Sequence, residues 1–179
     1  KYDFTNDLEY IATIKSIDGI LFMKEDRYYP GELFYGVDFL LYKYRPDSEQ
    51  EKHKLVLGDL NQVEQIWRNG NASIAAFAWI FDVVQPSSTT LLIADGLNKC
   101  IRHYDYETDR VSTLIGSCAG FREDVKMFPP LSLYRTAPAN QTTLGTVTSI
   151  ALVESSTSLL LSDNGQGTIL KYDFDTELV

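Results

Sequence analysis

Few side chains in this chain of 179 residues are placed to do chemistry. There are two histidines, His53 inside the charged run EQEKHK and His103 inside an apolar stretch, so a multi-histidine metal site within the chain is excluded. The two cysteines, Cys100 and Cys118, would need a free thiolate and a partnering base to act as nucleophiles. The glycine-bearing stretches NGNAS and DNGQG lack the lysine of a phosphate-binding loop and read as turns. Carboxylates are plentiful, 25 Asp and Glu against 16 Lys and Arg, giving a formal charge of −9. Calcium held by Asp, Glu and Asn oxygens is compatible with that supply, although no spacing singles out ligands. The acidic balance, with a pI near 4.6, lacks the clustered cations of a nucleic-acid binder.

The elements that must position these groups read as strands. Eleven Tyr, nine Phe and two Trp join Val, Ile, Leu and Thr in short runs split by Gly, Asn, Asp and Ser. No window carries a convincing helical face, though residues 60–68 (LNQVEQIWR) have room for two helical turns. The longest nearly apolar stretch, residues 72–81, is about half a bilayer span, so no membrane insertion by this segment is expected. The first residues, KYDFTNDLEYIATI, lack the regions of a signal peptide and do not start with Met, which points to a processing boundary.

An internal repeat organises the chain. A shift of 68 residues lays residues 83–111 on residues 151–179 without a gap, with eleven of 29 pairs identical, among them Ser87/Ser155, Ser88/Ser156, Leu91/Leu159, Asp95/Asp163, Ile101/Ile169 and Tyr104/Tyr172. A weaker copy aligns residues 31–44 with 91–104, placing Gly36 on Gly96 and Tyr44 on Tyr104. The opening KYDF repeats residues 171–174, so a marker tyrosine recurs at Tyr2, Tyr44, Tyr104 and Tyr172, at intervals of 42, 60 and 68. Relative to 42, the second and third periods carry about 18 and 26 extra residues, expected as inter-blade loops near 59–74 and 119–146. Within the second period, 80–84, 91–94, 100–104 and 111–115 read as four antiparallel strands, with a turn over 86–90, Asp95-Gly96 closing the second strand and 105–110 turning the last hairpin. Four short strands per period is the signature of a propeller blade.

The segment LLIADGLNKCIRHYDYETDRVSTLIG resembles an NHL repeat, matching its pattern at Ala94, Asp95, Asn98, Ile101, Arg102, Leu114 and Gly116. The third period matches at Asp163 and Ile169, with Gln166 and Leu170 replacing the Asn and Arg; in the first, Tyr35 and Asp38 stand at the Asp and Asn positions. The resemblance implies an all-β propeller of four-stranded blades, about three of them here, belonging to a larger ring for which six blades is the simplest closure. It also implies that Asp95, Asn98, Arg102 and Asp163 tie strand ends to neighbouring loops; the alternative is a ligand role.

Cys100 opens the third strand of the second blade and Cys118 follows the fourth, so the hairpin brings them opposite one another in a geometry that allows a disulfide, the alternative being two unrelated buried thiols. A pair with no third cysteine suggests an oxidising compartment. The sequons at Asn71 and Asn140 fall in or beside the long loops, consistent with secretion and glycosylation. Residues 45–54 read as a solvated hairpin tip. The aromatic group Tyr28, Tyr29, Phe34 and Tyr35 offers anchors for a protein or a sugar; the alternative is that Phe34 and Tyr35 pack between blades while Tyr28 and Tyr29 cap them. The expected function is an extracellular or cell-surface recognition module without catalysis, with a protein or glycan partner and with further blades supplied by the same precursor or another chain. Two alternatives stand beside it: a secreted propeller enzyme of amidating-lyase or calcium-dependent hydrolase or lactonase type completed by other blades, and a structural unit of an extracellular assembly.

Overall fold

Runs of β-branched and aromatic residues broken every few positions by turn formers can pair only as short antiparallel strands. The computed structural model describes residues 20–62, 66–118, 136–153 and 157–179. Tyr2 and the opening KYDF, Ser155 and Ser156, and residues 119–135 of the long third-period loop lie outside them. The described chain is all-β and forms three antiparallel sheets. The first runs β1 (Ile20–Glu25), β2 (Leu33–Val37), β3 (Leu40–Tyr44) and β4 (His53–Leu57) in that order. The second comprises β6 (Ile80–Ser87), β7 (Thr90–Asp95), β8 (Cys100–Asp105) and β9 (Arg110–Ile115), with the two-residue β5 (Gly70–Asn71) added beyond β9. The third comprises β10 (Val147–Leu152), β11 (Ser158–Asp163) and β12 (Thr168–Asp173).

The repeat is visible in the strand register. Leu33 faces Tyr44, Leu91 faces Tyr104 and Leu159 faces Tyr172, so three marker tyrosines occupy one position of the three sheets. Each first strand carries an irregularity after its first paired residue, between Ile20 and Phe22, Ile80 and Asp82, and Val147 and Ser149. The β8–β9 turn and the turn that follows β12 are also alike: Asp105 Oδ1 accepts from the Glu107 and Thr108 amides, and Asp173 Oδ1 from the Asp175 and Thr176 amides.

Register also corrects the gap-free alignments. Val83 pairs with Ile93 and Ile150 with Leu161, so the partner of Val83 across the repeat is the buried Ile150 and not the exposed Ala151. The first strands are therefore offset by 67, and one extra residue sits in the turn before β11; a one-residue slip would turn every side chain of the strand to the other face. In the first sheet the β2–β3 hairpin has two loop residues, Asp38 and Phe39, against four in the second, Gly96 to Lys99. Val37, facing Leu40 as Asp95 faces Cys100, thus holds the position assigned to Tyr35. The β6–β7 turn is Ser88-Thr89, with Pro86 and Ser87 inside β6. Helical turns over 60–68 are not seen at the described residues, where Arg68 makes a bridge with Ala76; residues 63–65 lie outside the description.

The sheets stack face to face. Alternation in β7 sends Leu91 and Ile93 to one face, where they join Phe34, Leu41 and Leu57 of the first sheet, and Leu92 and Ala94 to the other, where they join Val147, Ile150, Leu159 and Leu161 of the third. Both faces of β7 are core, which explains why Leu91, Leu92, Ile93 and Ala94 form a continuous apolar run.

Cys100 and Cys118 form a disulfide, their Cα atoms 5.1 Å apart and both side chains fully buried. Gly116 makes the return possible: its φ is +85°, and a Cβ there would lie 2.7 Å from the Lys99 carbonyl oxygen. The bond closes a span of 18 residues, worth about 3 kcal/mol in the chain-entropy account. The double variant Cys100→Ser, Cys118→Ser should lose about that much stability in urea denaturation; an unchanged midpoint would contradict the assignment of the bond to fold stability.

Candidate functional site

The Asp95, Asn98 and Arg102 signature sits where β7 ends and β8 begins, and all three residues are 0% exposed. Arg102 Nη1 donates to Asp95 Oδ2 at 3.0 Å and to the Ala76 carbonyl at 3.2 Å, while Nη2 donates to the Arg68 carbonyl and to Asn69 Oδ1. Asn98 Nδ2 donates to Asp95 Oδ2 and to the Ile66 carbonyl, and the Ala78 amide donates to Asp95 Oδ1. The Arg102 guanidinium also lies over the Phe77 ring. Burial pushes the Asp95 carboxyl up to about 6, opposed by Arg102 and the Asn98 and Ala78 hydrogen bonds. Together these bonds reach Ile66, Arg68, Asn69, Ala76 and Ala78, and so strap the 66–78 segment onto the second sheet. In the third sheet Asp163 keeps part of the strap, accepting from the Gly145 and Gln166 amides, and burial likewise raises its carboxyl. There Leu170 replaces the arginine, and the loop is held by the Asp163 carboxylate together with Gln166, whose Nε2 donates to the Thr143 carbonyl at 3.1 Å.

A second polar node joins the first strands of the sheets. Asp82 Oδ1 accepts from Lys24 Nζ of β1 at 2.8 Å, and Oδ2 accepts from Ser149 Oγ at 3.0 Å and the Ile150 amide at 2.8 Å in β10. One carboxylate of the middle sheet therefore reaches both neighbours.

The third polar cluster is open. At the end of the stack that carries the β1–β2 loop, the first and second sheets leave a cleft of about 560 Å³. Its charged lining is three cations, Lys43, Arg45 and Lys54, and three carboxylates, Asp26, Glu32 and Asp109. Lys43, only 6% exposed, pairs with both Asp26 and Glu32 and lies over the Tyr29 ring at 4.5 Å and the Phe34 ring at 5.3 Å. Tyr104 and Tyr106 form the opposite wall with Gln85 and Ser88. Burial, with the Asp109 carboxylate adding to it, pushes the Tyr104 hydroxyl up to about 12; burial raises that of Tyr106 further, so both stay protonated. The β1–β2 connection here spans residues 26–32, where the β6–β7 connection has only Ser88 and Thr89. Asp26 Oδ1 accepts from the Tyr28 and Tyr29 amides, Gly31 takes φ +88°, the Arg27 amide donates to Gln85 Oε1, and Tyr28 OH donates to the Pro86 carbonyl. The longer loop is thus fixed across both sheets.

The aromatic group read from sequence divides. Phe34 is 1% and Tyr35 5% exposed, which removes both from any contact surface: Phe34 fills the space between sheets and Tyr35 stacks on Tyr42 and meets His53 Nδ1 through its hydroxyl. Tyr28 and Tyr29 are 38% and 54% exposed. Asn71 and Asn140 are both exposed, one in β5 and one in the 3-10 turn Ala139–Gln141. The hairpin tip at 45–54 is largely exposed and closes on Arg45, Glu51 and Lys54 ion pairs. Among the described residues no three His, Cys, Asp or Glu side chains are grouped to hold a metal ion. Asp82 and Lys43 were missed by sequence reasoning. The one signal for Asp82 was a carboxylate interrupting an apolar strand, and for Lys43 a lysine between two aromatics in LLYKY, each a charge where a core residue was due.

No family model and no curated protein matches the chain. Among solved structures it is similar to a structural-genomics protein of unknown function from Bacteroides thetaiotaomicron, at TM-score 0.60 and 18% identity over 79% of this chain and 32% of that one. It is similar also to an auxiliary nutrient binding protein of the same organism, at TM-score 0.60 and 16% identity over 83% of this chain and 36% of that one. The chain therefore spans about a third of the length of these structures.

The buried strap has a measurable consequence. Asp95→Ala strands a buried guanidinium and should cost about 3–5 kcal/mol in urea unfolding. Adding Arg102→Leu, the residue type of the third sheet, should cost less than the two single changes summed, by about 1 kcal/mol or more. Strict additivity would show that the pair is not coupled.

Proposed function

We propose that this chain is a run of NHL-like blades from a larger propeller and that it acts as an extracellular or cell-surface binding module, without chemistry of its own, for a protein or glycan partner. The observation that carries the binding role is the cleft between the first and second sheets. It is polar, open, of a size that takes small ligands, and crossed by a loop already fixed in place, so little order has to be gained on binding. The nutrient-binding description of one fold neighbour supports the same role. The buried disulfide and the exposed Asn71 and Asn140 support an oxidising, extracellular setting with glycans at those sequons.

Further blades are proposed because the third sheet presents an unmatched apolar face. Leu160 and Ile169 are 38% and 77% exposed, whereas Leu92 and Ile101, their counterparts in the second sheet, are 1% and 0% exposed beneath the third. A following sheet would cover Leu160 and Ile169 as the third covers Leu92 and Ile101. Calcium at the centre of such a ring belongs to the enzymatic alternative.

The complete protein decides between the two. Elemental analysis with lyase, lactonase and esterase assays should give neither stoichiometric zinc or calcium nor turnover; a stoichiometric metal accompanied by turnover would overturn the non-catalytic reading.

A further inference from the structure

Resting on the binding-module reading, we infer that the cleft between the first two sheets takes an uncharged carbohydrate segment of more than one ring, with Tyr29 as its stacking platform. The charges lining the cleft balance, three cations against three carboxylates, and they are interleaved. Lys43 is neutralised by Asp26 and Glu32, and Arg45 lies 3.4 Å from Glu32 Oε1. Such a lining exerts little net field on a charged ligand, yet it offers donors and acceptors on every side. Arg45, Lys54, Gln85 and Ser88 can donate, and Asp109 and Glu32 can accept, which is the mixture that a chain of hydroxyl groups satisfies. The Tyr104 hydroxyl, which donates to Asp109 Oδ1 at 3.1 Å, adds an acceptor, and the Tyr106 hydroxyl a group able to do both.

The platform is Tyr29. Lys43 holds it from one side at 4.5 Å, yet the residue is 54% exposed, so ring surface is left open to a ligand. It sits on the residues by which the 26–32 loop exceeds its counterpart in the second sheet, and that loop is held by the Asp26 turn, the Arg27–Gln85 bond and the Tyr28–Pro86 bond. An exposed aromatic on a fixed loop beside balanced polar side chains favours a flat apolar sugar face with hydroxyls at its rim. All of these groups belong to the first and second sheets and their connections.

The test titrates the full chain by calorimetry with neutral hexasaccharides (maltohexaose, cellohexaose, xylohexaose and mannohexaose) beside hexagalacturonate and chitosan hexamer. At least one neutral sugar should bind, with affinity changing by less than about twofold from about 50 to about 500 mM sodium chloride. Tyr29→Ala should weaken it about tenfold or more, while Tyr29→Phe, which keeps the ring, should stay within about threefold. Tyr29 lies on the surface, and an unchanged unfolding midpoint verifies that its variants fold. Preference for a charged hexamer, or a steep salt dependence, overturns the uncharged class. Neutral-sugar binding indifferent to Tyr29→Ala overturns the placement. Silence across the panel overturns the inference, while the binding-module reading is judged separately by the metal and turnover assays.

Discussion

The structure depends on β7 being buried on both faces. Leu91, Leu92, Ile93 and Ala94 are each at most 1% exposed, so a single six-residue strand contributes to two cores at once. Each large side chain withdrawn from water contributes about 1.5–3 kcal/mol, and none of that is gained unless a sheet lies on either side. The first and third sheets therefore each contribute to the stability of the second. Asp82 fixes the lateral position of that stack, because its two oxygens bind β1 on one side and β10 on the other. Hydrophobic contact alone would let the sheets slide; a buried carboxylate that must find its donors does not.

The same division separates structural from functional polarity. Two of the polar clusters, around Asp95 and around Asp82, direct their hydrogen bonds inward to loops and strands that have to be held. The cluster at the first cleft is built differently, since Lys43 is consumed by its own carboxylates while Tyr29 and Lys54 are exposed on its lining. The extra length of the 26–32 loop belongs to this cleft. A scaffold whose repeated positions are committed to packing keeps its variable chemistry in connections, and here the variable connection is the one carrying two exposed tyrosines.

Much of this was legible in the sequence because the repeat is stated in side chains that packing cannot exchange. Tyr44, Tyr104 and Tyr172 occupy one register, and Asp95 and Asp163 one strand end, so their recurrence marks three equivalent units, and the strands of the second can be read directly from its runs and turns. The two-residue difference in the β2–β3 hairpin and the one-residue difference before β11 escaped, because identities alone do not say which face a residue occupies, and turns absorb insertions without leaving a mark on the strands. Phe34 and Tyr35 looked like Tyr28 and Tyr29 by composition. Only strand alternation and the neighbouring sheet distinguish a buried aromatic from an offered one. The cleft itself was invisible, since Asp26, Lys43 and Tyr106 lie in three separate strands or turns and meet only when two sheets are stacked.

Native-state hydrogen exchange resolved by residue tests two-sided burial most directly. Amides of β7 and β8 should exchange only through global unfolding, while those of β12, on the sheet whose outer face leaves Ile169 at 77% exposure, should open at a lower free energy. Equal protection of β12 and β7 in the isolated chain would contradict the account, because it would mean that a sheet covered on one face is held as firmly as one covered on both.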